Sequence, residues 1–461
     1  MVFSSLLFLF IFLPIFLVLY YLCPSKVRNL VLFLFSLLFY AWGEPVYVWI
    51  MLFSIMLDYS CGLIIHLNSH RPRLKKLGLI LSITGNMGLL AFFKYSDFFI
   101  NNVNHFLGNK LTLLELALPI GISFYTFQTM SYTIDLYRGK IQVQKNIINF
   151  AAYVTMFPQL IAGPIVTYAH VEKQLNRRTL SMDEFGEGCL RFIEGLGKKV
   201  LLANNIGLLW DTISQMPISD LTVVTAWLGA ISFGLQLYFD FSGYSDMAIG
   251  LGKMLGFSFP ENFNYPYMAQ SVTDFWRRWH ITLGSWFREY VYIPLGGNRV
   301  RTARFYSNIF VVWFLTGFWH GAGWNFIVWG LFFGIIMVIE RSFLLDWFKK
   351  VPSCLKHIYL LIVVLISWVF FSHDSLAEGL HYLGVMFGTR TNHLLNTQTG
   401  YLLSNYLLLF ILGGLFSLPL MKKTCHKLPE WIRYIFYVMV LVLSTAYLVD
   451  ATFNPFLYFR F

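Results

Sequence analysis

Charged residues are scarce in this sequence. Asp, Glu, Lys and Arg make up 12% of its 461 residues, whereas a soluble domain carries about 25%. A chain with so few charges cannot cover a water-exposed surface, which excludes the soluble globular classes. Hydrophobic residues reach 57% and aromatic residues 19%, so the chain is suited to lipid. The composition therefore predicts an integral membrane protein.

The motifs of several common enzyme and metal classes are also missing. The sequence has no P-loop, no G-x-S-x-G elbow and no H-E-x-x-H pair, which removes the usual signatures of nucleotide-binding proteins, serine hydrolases and zinc proteases. Its five cysteines show no C-x-x-C or other metal spacing, and neither a metal site nor a cofactor is predicted. The first 23 residues lack a basic start and a small-residue cleavage site, which favours a retained first span.

Long apolar runs dominate what remains. In a bilayer only helices or closed barrels satisfy every backbone group, and these runs show no period-2 alternation. The predicted fold class is therefore all-α, a polytopic transmembrane helical bundle organised as one domain over residues 1–461. The apolar runs are residues 3–22, 30–42, 46–67, 77–100, 113–135, 200–215, 222–250, 305–320, 324–345, 357–372, 401–420 and 431–449.

Basic residues lie in short clusters between these runs. Lys26 and Arg28 follow the first run, residues 71–76 hold the next cluster, and residues 138–145 follow the fifth run. This distribution obeys the positive-inside rule, so the net charge of +11 does not predict a nucleic-acid partner. The loops after odd-numbered runs are predicted to face the cytosol. Both ends, including the tail over residues 454–461, are then outside.

Two stretches do not follow the simple alternation of spans and loops. Residues 146–199 and 251–304 are too polar to span cleanly and too aromatic for ordinary loops, and prolines interrupt both. Broken backbone at membrane depth is tolerated where protein buries it or where it lines a cavity. We predict re-entrant or interfacial segments on the cytosolic side, with amphipathic helices on the inner leaflet as an equal alternative.

Aromatic and basic side chains alternate most densely over residues 274–299, DFWRRWHITLGSWFREYVYIPLGGNR. Arginine forks match phosphate oxygens and stack on flat rings, so this strip predicts binding of a phosphate-bearing ligand. A belt that holds anionic lipid headgroups at the inner leaflet is the alternative. The residues predicted to bind the ligand are Trp276, Arg277, Arg278, Arg288 and Asn298.

A histidine stands between two apolar runs in TGFWHGAGWNFIVWG, residues 316–330. Helical spacing places Thr316, His320 and Trp324 on one face, and ionisable residues at membrane depth usually face the bundle interior. A neutral imidazole can take a proton from an attacking hydroxyl, which is general-base chemistry. The alternative is a histidine with a purely structural hydrogen bond.

Two carboxylates occur inside the apolar run YFDFSGYSDMAIGLG, residues 238–252. Asp240 and Asp246 are six residues apart and do not share a helix face, whereas Asp240 can meet Tyr244. This spacing favours a structural polar network over a pair of cooperating acids.

These three stretches, in their order along the chain, resemble the membrane-bound O-acyltransferase superfamily. They are most similar to its bacterial alginate O-acetyltransferase branch, which includes peptidoglycan O-acetyltransferases. The amino-terminal YAWGEP and FFKYSDFF, the central LPIGISFYTFQTMSYTID and FPQLIAGPI, and the terminal NPFLYFRF fit the same branch. The resemblance covers essentially the whole chain.

The resemblance implies a ring of helices around a central tunnel, in a multi-pass protein of the bacterial cytoplasmic membrane. It makes His320 the expected catalytic residue and His280 the second family histidine, which orients or gates the donor. Acetyl coenzyme A is the expected donor substrate, although a teichoic acid D-alanylating relative takes its acyl group from a carrier protein. The expected acceptor is an extracytoplasmic polysaccharide, reached directly or through an outside acyltransferase-like or esterase-like partner.

The terminal aromatic motif supports two interpretations. A short aromatic tail suits the membrane interface as an anchor. A similar motif with a tyrosine recurs in the branch, which implies a role beyond anchoring, and we predict that Tyr458 accepts the acyl group and passes it on. Two rival classes for the whole chain are a transporter or flippase for a lipid-linked sugar, for which no internal repeat is found, and a structural subunit that recruits an outside enzyme.

Overall fold

The computed structural model describes residues 1–108, 110–391, 393–450 and 455, with the side chain of His426 excepted. Within these residues the secondary structure is helical and contains no β-strand. The all-α class predicted from the sequence is therefore confirmed. The ring of helices and the central tunnel stay predictions.

The chain packs into two compact units. The first comprises Met1–Phe192 and Asp246–Pro260, and the second comprises Ile193–Ser245 and Glu261–Phe461. The interpretation of the chain as one functional domain stays a prediction.

The helices divide between these units. The helices of the first unit are α1 (Leu13–Leu22), α2 (Arg28–Ala41), α3 (Val48–Leu67), α4 (Pro72–Leu90), α5 (Ser96–Leu107), α6 (Ile122–Tyr137), α7 (Ile147–Thr155), α8 (Phe157–Leu160) and α9 (Tyr168–Asn176). The division between units falls within α10 (Met182–Gly197) and α12 (Val223–Met254). The helices of the second unit are α11 (Asn204–Ser214), α13 (Val272–Trp276), α14 (Ile281–Phe287), α15 (Thr302–His320), α16 (Trp324–Ile339), α17 (Leu345–Phe348), α18 (Ser353–Ser372), α19 (Leu376–Met386), α20 (Thr397–Phe416), α21 (Leu420–Lys427) and α22 (Glu430–Asp450).

Short π-helical turns continue several of these helices. Such turns are rare and often occur at functional sites. They comprise Phe8–Phe12, Ala91–Tyr95, Lys198–Ala203, Arg288–Tyr292 and Glu340–Leu344.

Many of the helices are suited to lipid. Among the described residues, seven helical segments are long and apolar enough to cross a membrane. They are Val48–Leu67, Pro72–Leu107, Val223–Met254, Trp324–Phe348, Ser353–Ser372, Thr397–Phe416 and Glu430–Asp450. Phe8–Leu22 and Arg28–Ala41 are shorter apolar helices. The chain is a multi-pass membrane protein, and the side on which each loop lies stays a prediction.

One predicted helix begins later than expected. The run over residues 113–135 was predicted as a continuous helix, but α6 begins only at Ile122. Pro119 precedes a turn in which Gly121 adopts φ 73°, and a left-handed residue there ends any upstream helix. The remaining 16 residues span about 24 Å, which is less than a bilayer core of about 30 Å. Most α6 side chains are buried within the first unit.

The two irregular stretches contain short helices. In the stretch 146–199, α7 and α9 have 9 residues each and α8 has 4. The fourth helix there, α10, has 16 residues and is continued by the π-helical turn Lys198–Ala203. In the stretch 251–304, α13 has 5 residues and α14 has 7. A span needs about 20 residues, so none of the helices with 9 residues or fewer crosses a membrane alone. Their re-entrant or interfacial placement stays a prediction.

The two carboxylates of α12 are each held by a cation. Asp240 Oδ1 lies 2.7 Å from the Lys199 ammonium, and both side chains are almost fully buried. Asp246 Oδ1 lies 2.6 Å from the Arg191 guanidinium. A Cβ on Gly243 would lie 2.7 Å from the Gly195 carbonyl oxygen, so a glycine there allows the backbones to approach. The structure thus supplies salt-bridge partners that helical spacing did not indicate.

The Lys199–Asp240 pair predicts a large stability effect. Asp240→Asn leaves a buried ammonium without its countercharge, and the free energy of unfolding should fall by about 3–5 kcal/mol. The measurement is unfolding of the purified protein in detergent. Lys349 and Asp346 form an exposed pair at 2.6 Å, so Asp346→Asn is the matched control and should leave the unfolding midpoint unchanged. Equal effects of both substitutions would contradict the assignment.

Candidate functional site

A tight helical hairpin fixes the position of His320. His320 is the last residue of α15, and α16 begins four residues later at Trp324. A Cβ built on Gly317 would lie 3.2 Å from the Gly330 Cα and would collide with the Phe326 carbonyl oxygen. Any side chain at Gly317 would therefore push the helices apart. The close approach of the two backbones holds the imidazole at the end of the hairpin.

Three aromatic rings form a partial cage around His320, which is half-buried. The centroid of its ring lies 4.9 Å from that of Trp319, 5.0 Å from that of Trp329 and 5.3 Å from that of Phe371. All three contacts are edge-on, with interplanar angles of 75–85°. Edge-to-face packing is a favourable geometry for aromatic pairs, and it restricts the orientation of the imidazole. The structure thus places the predicted catalytic histidine in a rigid, largely apolar cage.

His280 lies in the turn between α13 and α14. Its backbone is left-handed, with φ 47°, and its carbonyl oxygen accepts a hydrogen bond from Gly284 N at 3.0 Å. The side chain is 5% exposed. Burial lowers the pKa of His280 to about 4, because desolvation disfavours the charged imidazolium. The imidazole is therefore neutral near pH 7.

The two histidines meet at one indole. The Trp319 ring centroid lies 6.3 Å from that of His280 and 4.9 Å from that of His320. Residues that are 40 positions apart in the sequence are thereby placed on either side of a single buried side chain. The two histidines thus share one aromatic neighbour.

A cavity of about 690 Å³ lies against His280. This volume is within the range of small-molecule sites. Three arginines, Arg277, Arg288 and Arg341, are among its lining residues, and none of the described lining residues is acidic. Trp276 and Thr316 also line it. The cavity is consequently both cationic and aromatic.

Trp276 connects this cavity with the cage around His320. Its ring lies 4.8 Å from Trp313 and 5.7 Å from Trp329, and Trp329 in turn contacts His320. The indole Nε1 groups of Trp276 and Trp329 are buried and have no hydrogen-bond acceptor in the part of the chain that the structure describes. Two hydrogen-bond donors are therefore positioned between the cavity and the histidine.

The predicted ligand-binding residues fall into two groups. Trp276, Arg277 and Arg288 line the cavity as expected. Arg278 is instead held by Asp274, whose carboxylate accepts from the guanidinium Nε at 3.0 Å, and Asn298 is exposed and is not among the lining residues. The structure does not bring these two residues into the cavity.

Two charged residues of this site were missed by the sequence analysis. Arg341 lines the cavity, with its guanidinium 4.4 Å from the Phe305 ring centroid. Glu340 is fully buried. Its carboxylate accepts hydrogen bonds from Val272 N at 2.6 Å and from Thr273 N at 2.9 Å, and it also accepts one from the Thr273 hydroxyl. The available signal was a pair of charges at the end of an apolar run, which usually marks function.

Glu340 explains why a five-residue helix is stable. The first N–H groups of a helix have no partner inside the helix, and a carboxylate at that end also suits the helix dipole. Glu340 provides both effects for α13 from another part of the chain. Because α13 carries Trp276 and Arg277 follows it directly, Glu340 sets the position of two cavity residues.

The chain is similar to a known enzyme family over most of its length. A family model described as MBOAT, membrane-bound O-acyltransferase family, matches residues 36–380. The "Probable alginate O-acetylase AlgI" of Pseudomonas putida is 38% identical, with 100% of both chains aligned. The peptidoglycan O-acetyltransferase of Helicobacter pylori is 37% identical over 84% of this chain and 80% of the relative. The teichoic acid D-alanyltransferase of Bacillus subtilis is 28% identical over 55% of this chain and 67% of the relative.

The family match includes both histidines, the cavity and the α15–α16 hairpin, and the first of these relatives aligns over the full length. The family match and the relatives' names show that the chain is an enzyme, and not a transporter or a purely structural subunit. The chain belongs to the membrane-bound O-acyltransferase family.

Proposed function

We propose that this chain takes an acetyl group from acetyl coenzyme A at the cytosolic side of the bacterial cytoplasmic membrane and delivers it for O-acetylation of an extracytoplasmic polysaccharide. The observation that supports this most directly is the convergence of His280 and His320 on Trp319 beside an arginine-lined cavity. The aligned relatives named as O-acetylating enzymes cover more of the chain than the D-alanyltransferase does. Acetyl is therefore favoured over D-alanyl.

The cavity is suited to coenzyme A. Guanidinium groups form paired hydrogen bonds with phosphate oxygens, and Arg277, Arg288 and Arg341 present three of them. Indole rings such as that of Trp276 offer a flat surface on which the adenine can stack. The absence of acidic groups among the described lining residues removes repulsion of the phosphates.

His320 acts as the general base. Its imidazole takes the proton from the acceptor hydroxyl while that oxygen attacks the carbonyl carbon of the thioester. The new C–O bond forms, the C–S bond breaks with its electron pair going to sulfur, and the proton passes from His320 to the thiolate. Free coenzyme A leaves. The aromatic cage around His320 limits access of water, and hydrolysis of the thioester is the competing reaction.

The indoles near His320 stabilise the charge that develops on the carbonyl oxygen. A preorganised N–H donor acts strongly in a water-poor site, because it costs no reorganisation during the reaction. Trp329 Nε1 has no acceptor among the described residues, and its ring contacts His320. His280 is neutral and borders the cavity, so we assign it the positioning of the thioester rather than the proton transfer.

Tyr458 is proposed as the first acceptor, although it lies outside the described residues. Pro455, three positions earlier, accepts a hydrogen bond from the buried Lys199 ammonium, which supports a return of the chain to the bundle after α22. A phenol has a pKa near 10, so it is a better leaving group than a sugar hydroxyl and the onward step is downhill. An extracytoplasmic acyltransferase-like or esterase-like partner would then take the acetyl group.

Replacing the proposed base tests the chemistry. His320→Ala should lower the release of coenzyme A from acetyl coenzyme A by about 10²–10⁴-fold, which is the usual contribution of a general base. The purified protein and a thiol-reactive dye give the rate. His66 is an exposed histidine near the end of α3, so His66→Ala is the matched control and should retain full activity. A native rate for His320→Ala would show that this histidine is structural.

Arg277 lines the cavity, whereas its neighbour Arg278 is bound by Asp274 outside it. Arg277→Gln should raise the KM for acetyl coenzyme A by about tenfold with little change in kcat, because it removes charge-assisted hydrogen bonds that act in the ground state. Arg278→Gln removes the same charge outside the cavity and should leave the KM unchanged. An unchanged KM for both variants, together with an altered dependence on anionic lipid, would favour the headgroup belt instead.

The relay through the tail is tested by removing one oxygen. Tyr458→Phe keeps the aromatic ring and should abolish acetylation of the polysaccharide in cells, while the protein still inserts and folds. Tyr447 is an exposed tyrosine of α22, so Tyr447→Phe serves as the control with normal acetylation. Full polysaccharide acetylation by Tyr458→Phe, or a tail located in the cytosol, would refute the relay.

A further inference from the structure

A second basic pocket lies in the first unit, and the proposed reaction does not use it. Its volume is about 550 Å³. Its walls come from the start of α2 and the residues before it, and from the end of α9 and the residues after it. Glu184 of α10 and Gly256 complete the lining. The charged lining residues are Lys26, Arg28, Arg177, Arg178 and Glu184. Four cations thus face one carboxylate, so the pocket is strongly positive.

Arg178 is held rigidly at this pocket. Its Nε donates to the Tyr20 hydroxyl at 2.6 Å, and its Nη1 donates to Asn29 Oδ1 at 2.7 Å and to the Gln174 carbonyl oxygen at 3.2 Å. The guanidinium carbon also lies 4.6 Å from the Phe257 ring centroid. These contacts fix the plane of the guanidinium before any ligand arrives, which reduces the entropic cost of binding.

Two arginine nitrogens at the pocket lack a hydrogen-bond acceptor among the described residues. Arg178 Nη2 and Arg28 Nε are buried and have no acceptor in the part of the chain that the structure describes. A buried charged donor without an acceptor destabilises the folded state, because its hydration has been lost without replacement. Other atoms of Arg178 are well bonded, so this arrangement is not a consequence of poor packing. The two donors call for an acceptor that comes from outside the chain.

A phosphate group fits these demands best. It carries negative charge and several acceptor oxygens, whereas the pocket offers fixed guanidinium donors and the flexible ammonium of Lys26. The basic cluster at Lys26 and Arg28 is predicted to lie at the cytoplasmic face, where both phospholipid headgroups and soluble phosphate compounds occur. We infer that this pocket binds a phosphate group and thereby ties the start of α2 to the segment that follows α9.

The experiment measures binding rather than acetyl transfer. Its result therefore tests the pocket without depending on the proposed function. The full-length protein is placed in nanodiscs, and its thermal midpoint is followed in two arms. One arm adds inorganic phosphate to phosphatidylcholine discs, with sodium chloride at matched ionic strength as the reference. The other arm replaces part of the phosphatidylcholine with phosphatidylglycerol in phosphate-free buffer. A ligand that binds only the folded state raises the midpoint as its concentration increases.

The variants are chosen to preserve the fold. Arg177 and Lys26 are exposed, so Lys26→Gln with Arg177→Gln lowers the pocket charge without disturbing packing, and Arg28→Gln removes one of the buried donors. Loss of a charge-assisted hydrogen bond should weaken the apparent affinity by about tenfold or more. The matched control is Arg71→Gln with Arg73→Gln, which removes two exposed charges at the start of α4.

The outcomes are distinct. A midpoint that rises with phosphatidylglycerol alone identifies a lipid headgroup, and a rise with inorganic phosphate identifies a soluble phosphate compound. In either case the response should weaken in the pocket variants and persist in the control. No rise in either arm for the unmodified protein would overturn the inference. An equal response from the pocket variants and the control would overturn it as well.

Discussion

Inside a bilayer no water is available to solvate a charge, so a charge buried among the helices needs a partner. Lys199 and Asp240 form a buried pair, Arg191 holds Asp246, and Glu340 caps α13. Each contact joins segments that are distant in the sequence. The polar residues that hydrophobicity alone would exclude are therefore the ones that fix how the helices pack.

The candidate site follows from this constraint. A five-residue helix such as α13 has little stability of its own, yet it must hold Trp276 and present Arg277 to the cavity. The buried carboxylate of Glu340 makes this possible by satisfying the first N–H groups of the helix. The close backbone approach of α15 and α16 holds His320 on the other side of the same aromatic cluster. Charge pairing and close packing together give the histidines a common neighbour in Trp319.

The sequence predicted the all-α class because that class depends on local signals. The two histidines were named through the resemblance to the family, and their roles stay predictions. Apolar runs indicate helices in lipid, and the motif around His320 is continuous. It did not predict that Lys199 pairs with Asp240, since that contact joins α12 to a segment about 40 residues earlier. Helical spacing could not separate Arg277 from Arg278 either, because only the position of the cavity decides which one can touch a ligand. The second basic pocket had no sequence signal beyond scattered basic residues, because four separate segments line it.

The central claim is that an acyl group enters from one side of the membrane and leaves on the other. It is tested most directly with the purified protein in sealed vesicles that expose its cytosolic side, with acetyl-labelled coenzyme A added only outside. The account predicts that labelled acetyl esters form inside, where an esterase added outside cannot remove them, while free coenzyme A stays outside. Labelled esters that form only on the outer face, and that the esterase removes completely, would contradict it.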